Sequence, residues 1–142
     1  MGPDFIIIGA ARSGTTSLAQ YLDNIDGIAI SSVKELNFFS NDKYWSKGFN
    51  WYESNFSKLD AKIVGEASTS YTNLYNTSIN VPERIYNYNK NIKLIYVVRD
   101  PIERFKSHYV HKIDRGEETK SLYEICKNHK GSHLISQGLF FY

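Results

Sequence analysis

Apolar and polar positions along the chain alternate between a strand rhythm and a helix rhythm. Phe5–Ile8 is an unbroken apolar run of strand length, and a glycine-containing turn carries it into a helical pattern from about Thr15 to Asp23. Gly27–Ile30 reads as a second short strand and Lys62-Ile-Val-Gly65 as a third. Pro82, followed by Glu83-Arg-Ile-Tyr86, opens a helix, because the fixed φ of proline suits the first turn. Ile92-Lys-Leu-Ile-Tyr-Val-Val98 is the clearest candidate for a buried strand. Asp100-Pro101-Ile-Glu103 then starts a helix predicted to reach about Arg115, with Asp100 as cap and Glu103 where a capping box places its carboxylate. Ser121-Leu-Tyr-Glu124 repeats that pattern and opens a further short helix. Strand and helix alternating in this way predict an α/β fold with a central, mostly parallel sheet flanked by helices.

Between Ser31 and Ser57 the rhythm dissolves into polar and aromatic residues, among them Phe38, Phe39, Trp45, Trp51, Tyr52 and Phe56. This stretch is predicted to be a long irregular connection packed over the sheet edge, and such connections are often functional. No linker, repeat or low-complexity tract interrupts the chain, so residues 1–142 read as a single domain.

Composition narrows the picture. With 42% hydrophobic and 23% charged residues, the chain is neither disordered nor collagen-like. The net charge is +2, with the two signs mixed along the whole length, so no bulk attraction to nucleic acid is indicated. The aromatic-rich stretch carries Lys43, Lys47 and Lys58 but no basic stripe, so its rings are expected to pack onto the core rather than stack on bases. The single cysteine, Cys126, excludes an internal disulfide and is expected to be a buried thiol. His108, His111, His129 and His133 have no accompanying cysteine or carboxylate pattern; they read as surface or phosphate-adjacent residues, and no metal is called for. No stretch approaches the ~20 apolar residues of a membrane span. The start lacks a secretory leader, which implies a cytoplasmic protein or a lumenal catalytic domain stripped of its leader.

The most informative segment is Gly9-Ala-Ala-Arg-Ser-Gly-Thr-Thr16, between the first strand and the first helix. Glycines at 9 and 14 let the backbone turn tightly and aim its N–H groups inward. The helix behind adds its positive end and the hydroxyls of Thr15, Thr16 and Ser17. The spacing is that of the G-x-x-x-x-G part of a nucleotide-binding loop, which refines the fold to a P-loop NTPase-like three-layer arrangement. The lysine that reaches the β- and γ-phosphates of a triphosphate is absent, and Thr15 stands in its place. The cation sits inside the loop instead, at Arg12, where it can meet the bridging oxygen of a bound anion. A nucleotide with a shorter 5′ chain is the ligand expected. Arg99 ends the last strand and Ser107 lies two turns into the next helix, which predicts both at the carboxyl edge of the sheet, where an arginine fork and a hydroxyl suit a second phosphate.

These residues resemble the sulfotransferase family that uses 3′-phosphoadenosine 5′-phosphosulfate. Ala11-Arg-Ser-Gly-Thr-Thr-Ser17 is similar to its 5′-phosphosulfate loop, and Tyr96-Val-Val-Arg-Asp-Pro-Ile-Glu-Arg-Phe-Lys-Ser-His-Tyr109 to its 3′-phosphate block. Lys34-Glu-Leu-Asn-Phe-Phe39 resembles the segment carrying the general base in the heparan sulfate branch. Gly65-Glu-Ala-Ser-Thr-Ser-Tyr71 and Val81-Pro-Glu-Arg-Ile85 follow that branch's order.

The resemblance implies sulfuryl transfer to a hydroxyl or amine, with a carbohydrate as the expected acceptor, without a metal. It implies that Arg12 neutralises the leaving phosphate oxygen, that Ala11, Ser13, Gly14, Thr15, Thr16 and Ser17 hold the 5′-phosphate, and that Arg99 and Ser107 hold the 3′-phosphate. Glu35 would take the acceptor's proton, with Lys34 adding positive charge beside it, and the product would be adenosine 3′,5′-bisphosphate. The chain departs from the heparan 3-O-sulfating pattern at Asn37 and Ala67, where that pattern has histidine and lysine, so the acceptor stays open. Ser136-Gln-Gly138-Leu-Phe-Phe-Tyr142 resembles the start of the family's next helix, as though the C-terminal part were absent. Its apolar residues are expected to fold back or to drive self-association. Two other classes remain beside the enzyme: a non-catalytic module that binds a nucleotide or glycan, and a P-loop small-molecule kinase, which needs a loop lysine and an acidic magnesium ligand.

Overall fold

The computed structural model describes residues 2–56, 61–72 and 79–127. They fall into two compact units, Met1–Val97 and Val98–Tyr142. The helix start expected at Ser136–Tyr142, with its self-association, lies outside the described residues, as do Lys58, His129 and His133.

The first unit is built on four parallel strands, β1 (Phe5–Gly9), β2 (Ile28–Ile30), β3 (Ile63–Ala67) and β4 (Lys93–Tyr96), in the order β2-β3-β1-β4. Phe5 is in register with Gly65 on one side and with Lys93 on the other. Because side chains alternate across a strand, β1 serves two cores. Phe5 and Ile7 join Ala19, Ile30 and Ala67 on one face, with Leu18 and Leu22 of α1 (Thr15–Asp23) packed against them. Ile6 joins Val64, Leu36 and the aromatic residues Phe38, Phe39, Tyr52, Phe56 and Tyr71 on the other, together with Val81 and Ile85 of α4 (Val81–Tyr88). Helix, sheet and an aromatic–helical layer make up the three-layer α/β arrangement that the chain pattern predicts.

Two strand packings fix this register. A Cβ on Gly65 would stand 2.2 Å from the Phe5 ring, so only glycine lets that ring lie flat across β3. Asp4 adds a side-chain acceptor to the pairing: its Oδ2 takes the Val64 N–H at 2.8 Å, and its own N–H donates to the Val64 carbonyl at 2.7 Å.

Three expectations are corrected. Residues 31–57 are not wholly irregular, since α2 (Asp42–Trp45) and α3 (Gly48–Ser54) form inside them. The Asn41 side chain caps α2 by accepting from Lys43 N–H at 3.0 Å, and the aromatic positions 45, 49, 52 and 56 recur at helical spacing, which places Tyr52 stacked on Phe38 with 4.5 Å between ring centroids. The run from Ile92 to Val98 does form a strand, but β4 stands last in the order of the described strands, and Leu94 and Tyr96 are exposed. Apolar composition announces a strand, whereas its place in the sheet order decides whether it is covered. Cys126 is exposed rather than buried. Helix α6 (Leu122–Lys127) turns Ile125 inward, and the next residue lies about 100° further round the helix, away from the core.

In the second unit, α5 (Pro101–Asp114) begins as predicted, with Asp100 Oδ1 accepting from the N–H groups of Ile102 and Glu103 at 3.0 and 2.9 Å. The Glu103 carboxylate is engaged by Lys106 at 2.7 Å. Ser121 and Glu124 complete a capping box at the start of α6. Phe105 packs on Ile125 as a small core, and His108 is buried rather than at the surface. No helix among the described residues is long and apolar enough to cross a membrane.

Candidate active site

One chain segment leaves the carboxyl end of β1, another follows β2 and runs beside the carboxyl end of the adjacent strand β3, and both carry chemistry. After β1, the main chain closes a tight loop in which the Ser13 N–H donates to the Ala10 carbonyl at 3.1 Å. The loop is anchored to the sheet by Ala10 N–H to the Val97 carbonyl at 2.9 Å and Val97 N–H to the Gly9 carbonyl at 2.7 Å. Arg12 (φ 67°) and Gly14 (φ 92°) take the left-handed conformation that turns the backbone into α1. No side chain caps α1, and its first main-chain bond is Leu18 N–H to the Gly14 carbonyl, so the positive end of the helix opens into the loop.

The fit of this loop to a phosphate-bearing ligand rests on two further observations. The Ser13 hydroxyl is buried and has no hydrogen-bond partner among the described residues, a cost that an anionic oxygen would remove. Where a Cβ on Gly14 would stand, nothing lies within 4 Å. Thr15 is buried, whereas Arg12, Thr16 and Ser17 are exposed.

Glu35 is delivered by the chain that runs beside the end of β3. Its N–H donates to the Ala67 carbonyl at 3.0 Å, as though prolonging the strand, and its φ of 60° then turns the backbone. The buried side chain of Leu36 follows, and Asn37 (φ 53°) turns the chain again. The Glu35 carboxylate accepts from Lys34 Nζ at 2.9 Å on Oε1, from the Thr69 hydroxyl at 3.1 Å on the same oxygen, and from the Thr69 N–H at 2.9 Å on Oε2. Lys34 and Glu35 are each about one-third exposed, so their ion pair is screened and worth little by itself.

Beneath them lies a buried polar cluster. Glu66, with no exposure, accepts from the hydroxyls of Ser68 at 2.5 Å, Tyr71 at 2.6 Å and Tyr52. Burial pushes the Glu66 carboxyl above the usual glutamate range, although the three hydroxyl donors pull the other way. Burial also raises the Tyr52 and Tyr71 hydroxyls, and the neighbouring Glu66 adds to it.

The two segments meet through the short 3-10 turn Thr69–Thr72. Ser68 N–H donates to the Ile7 carbonyl of β1 at 3.0 Å, and a Cβ on Gly9 would stand 2.4 Å from the Thr72 hydroxyl. The structure therefore brings the expected loop residues 11–17 and the pair Lys34–Glu35 to neighbouring strand ends. Arg99 and Ser107 belong to the second unit, where Arg99 is exposed just before the α5 cap and Ser107 is half-buried within the helix. The sequence reading missed Thr69. Its signal was present as three consecutive hydroxyl residues, Ser68-Thr-Ser70, directly after a strand.

Comparison with known proteins gives this geometry a family. A profile described as "Sulfotransferase domain" matches residues 2–135. The chain is 38% identical over 123 residues to the membrane-associated sulfotransferase kil1 of Dictyostelium discoideum, covering 84% of this chain and 25% of that protein. It is 34% identical over 119 residues to human heparan sulfate glucosamine 3-O-sulfotransferase 5, covering 84% of this chain and 33% of the relative. The crystal structure of a sulfotransferase from Alicyclobacillus acidocaldarius superposes with a TM-score of 0.74 at 28% identity, over 97% of this chain and 60% of that one. The chain thus spans a quarter to a third of the length of these two curated relatives. A profile match over nearly the whole chain, with relatives above 30% identity, shows the family: the chain belongs to the sulfotransferase domain family.

Proposed function

We propose that this chain provides the donor loop and the proton-accepting carboxylate for transfer of a sulfuryl group from 3′-phosphoadenosine 5′-phosphosulfate to a hydroxyl or amine of a carbohydrate. The observation that carries this reading is the buried, unpartnered Ser13 hydroxyl in an uncapped loop, at a strand end next to the one that holds Glu35. When bound, the donor supplies the sulfuryl group and departs as adenosine 3′,5′-bisphosphate.

The chain's own residues then divide the work. The loop N–H groups, Ser13 and the Thr15, Thr16 and Ser17 hydroxyls bind the 5′-phosphate. Arg12 places a permanent positive charge where negative charge develops on the leaving oxygen; a guanidinium stabilises that oxygen without protonating it. Arg99 and Ser107 take the 3′-phosphate. Glu35 accepts the proton of the acceptor group, a role that requires an approach of ~2.6–3.2 Å. Lys34, paired with Glu35 at 2.9 Å, keeps positive charge beside the reacting groups. A carbohydrate acceptor is favoured by the resemblance to a heparan sulfate glucosamine 3-O-sulfotransferase, while Asn37 and Ala67 speak against carrying over that enzyme's choice of sugar position.

Calorimetric titration with adenosine 3′,5′-bisphosphate, adenosine 5′-monophosphate and ATP with magnesium tests the donor assignment. Binding should require the 3′-phosphate and disappear in Arg99→Ala. Tighter binding of magnesium ATP would replace this reading with a kinase.

A further inference from the structure

The geometry points to Thr69 as the positioning residue for Glu35: its main-chain N–H and its hydroxyl grip both oxygens of one carboxylate and leave Oε2 to receive the acceptor's proton. This inference rests on the reading of Glu35 as the proton acceptor.

A carboxylate on a flexible stem must be held in both direction and rotation to act on one hydroxyl. A single donor fixes only direction. Thr69 supplies two donors from one residue, N–H to Oε2 at 2.9 Å and Oγ to Oε1 at 3.1 Å, which together fix the plane of the carboxylate. Thr69 is itself on firm ground. It opens the 3-10 turn, the preceding Ser68 N–H is bonded to the β1 carbonyl of Ile7 at 3.0 Å, and the Thr72 hydroxyl returns to the Thr69 carbonyl at 3.3 Å.

The count of acceptor sites selects the oxygen. Each carboxylate oxygen offers about two lone pairs. On Oε1 both are met, by Lys34 Nζ and the Thr69 hydroxyl; on Oε2, among the described residues, only the Thr69 N–H is bound. The side chain is 33% exposed, so the remaining Oε2 site is reachable.

The alternative account is that Thr69 merely staples the Glu35 loop to the sheet. That loop is already stapled by Glu35 N–H to the Ala67 carbonyl at 3.0 Å and by Asn37 N–H to the Ser68 hydroxyl at 3.0 Å, neither of which involves Thr69. Removing the Thr69 hydroxyl should leave the loop in place and free only the carboxylate.

The test compares Thr69→Val, Thr69→Ser and Glu35→Gln in transfer from 3′-phosphoadenosine 5′-phosphosulfate to a heparan sulfate oligosaccharide. It is paired with the amide proton resonance of Thr69 in the 15N-labelled chain and in Glu35→Ala. We expect kcat of Thr69→Val to fall roughly tenfold to a hundredfold while KM for donor and acceptor stays within about twofold, and Thr69→Ser to restore kcat to within about threefold. The Thr69 amide proton should move upfield and exchange faster in Glu35→Ala. Wild-type kcat in Thr69→Val beside an inactive Glu35→Gln overturns this inference and leaves Glu35 as the base. Wild-type kcat in Glu35→Gln overturns the base reading itself. The amide resonance requires no turnover, and a Thr69 amide indifferent to Glu35→Ala refutes the grip directly.

Discussion

Ser68 and Asn37 are joined across thirty-one positions by one hydrogen bond, in which the Ser68 hydroxyl accepts the Asn37 N–H at 3.0 Å. The same hydroxyl donates to Glu66 at 2.5 Å, so one oxygen ties the loop that carries Glu35 to the buried floor of the site. Ser68→Ala would strip an acceptor from the Asn37 N–H and a donor from a fully buried carboxyl. We expect a loss of about 1–3 kcal/mol in urea unfolding, with the slope of the transition unchanged.

Glu66 makes stability depend on pH in a stated direction. Burial holds its folded pKa above the unfolded value of about 4.3, so the native state binds more protons between those two values. The stability associated with that proton is present below the unfolded value and is lost as pH rises through the folded one. The difference in unfolding free energy between wild type and Glu66→Gln should therefore shift against wild type as pH rises above about 4.3, and a flat difference would contradict it.

Gly65→Ala should be among the costliest small substitutions in the chain. The added Cβ meets the Phe5 ring at 2.2 Å, and that ring is buried, so either β1 and β3 separate or the ring leaves its site. Overpacking of this kind costs about 1–3 kcal/mol. Thermal unfolding of Gly65→Ala beside Phe5→Leu/Gly65→Ala checks the cause: the smaller side chain at position 5 should recover part of the loss.

Arg12→Ala separates affinity from rate. The side chain is exposed and lies outside both cores, so the fold should persist. A charge that acts on the leaving oxygen contributes mainly in the transition state, and single-turnover transfer should slow by roughly a hundredfold while binding of adenosine 3′,5′-bisphosphate weakens far less. Equal losses in both would assign Arg12 to ground-state binding instead.

Much of this architecture was legible in the chain because local chemistry and tertiary packing agree. Asp100 caps α5, Ser121 and Glu124 form the box that opens α6, and the apolar run at Phe5 becomes a strand with a core on each face. The errors at β4 and Cys126 have a common source, since both depend on where an element sits rather than on what it is made of, whereas the helices α2 and α3 were hidden by an aromatic-rich stretch. Leu94 and Tyr96 are apolar yet exposed because β4 is last in the order of the described strands, and Cys126 faces outward because Ile125 faces inward. Glu35 stands out in the chain through a motif, whereas Thr69 does not, because its hydrogen bonds to Glu35 join residues thirty-four positions apart. Nothing in a one-dimensional pattern marks which of three neighbouring hydroxyl residues will meet that carboxylate.

Leu36 ties the fate of the site to that of the core. It is 4% exposed and sits between two half-buried residues, Glu35 and Asn37, that both take the left-handed conformation, so the backbone turns on either side of one buried side chain before Phe38 and Phe39 enter the core. The backbone that carries Glu35 cannot lift away unless Leu36 is withdrawn from the aromatic layer. Heat inactivation and loss of tertiary structure should therefore occur at one temperature rather than two, with main-chain amides of the Glu35 segment as slow to exchange as those of the sheet beside it.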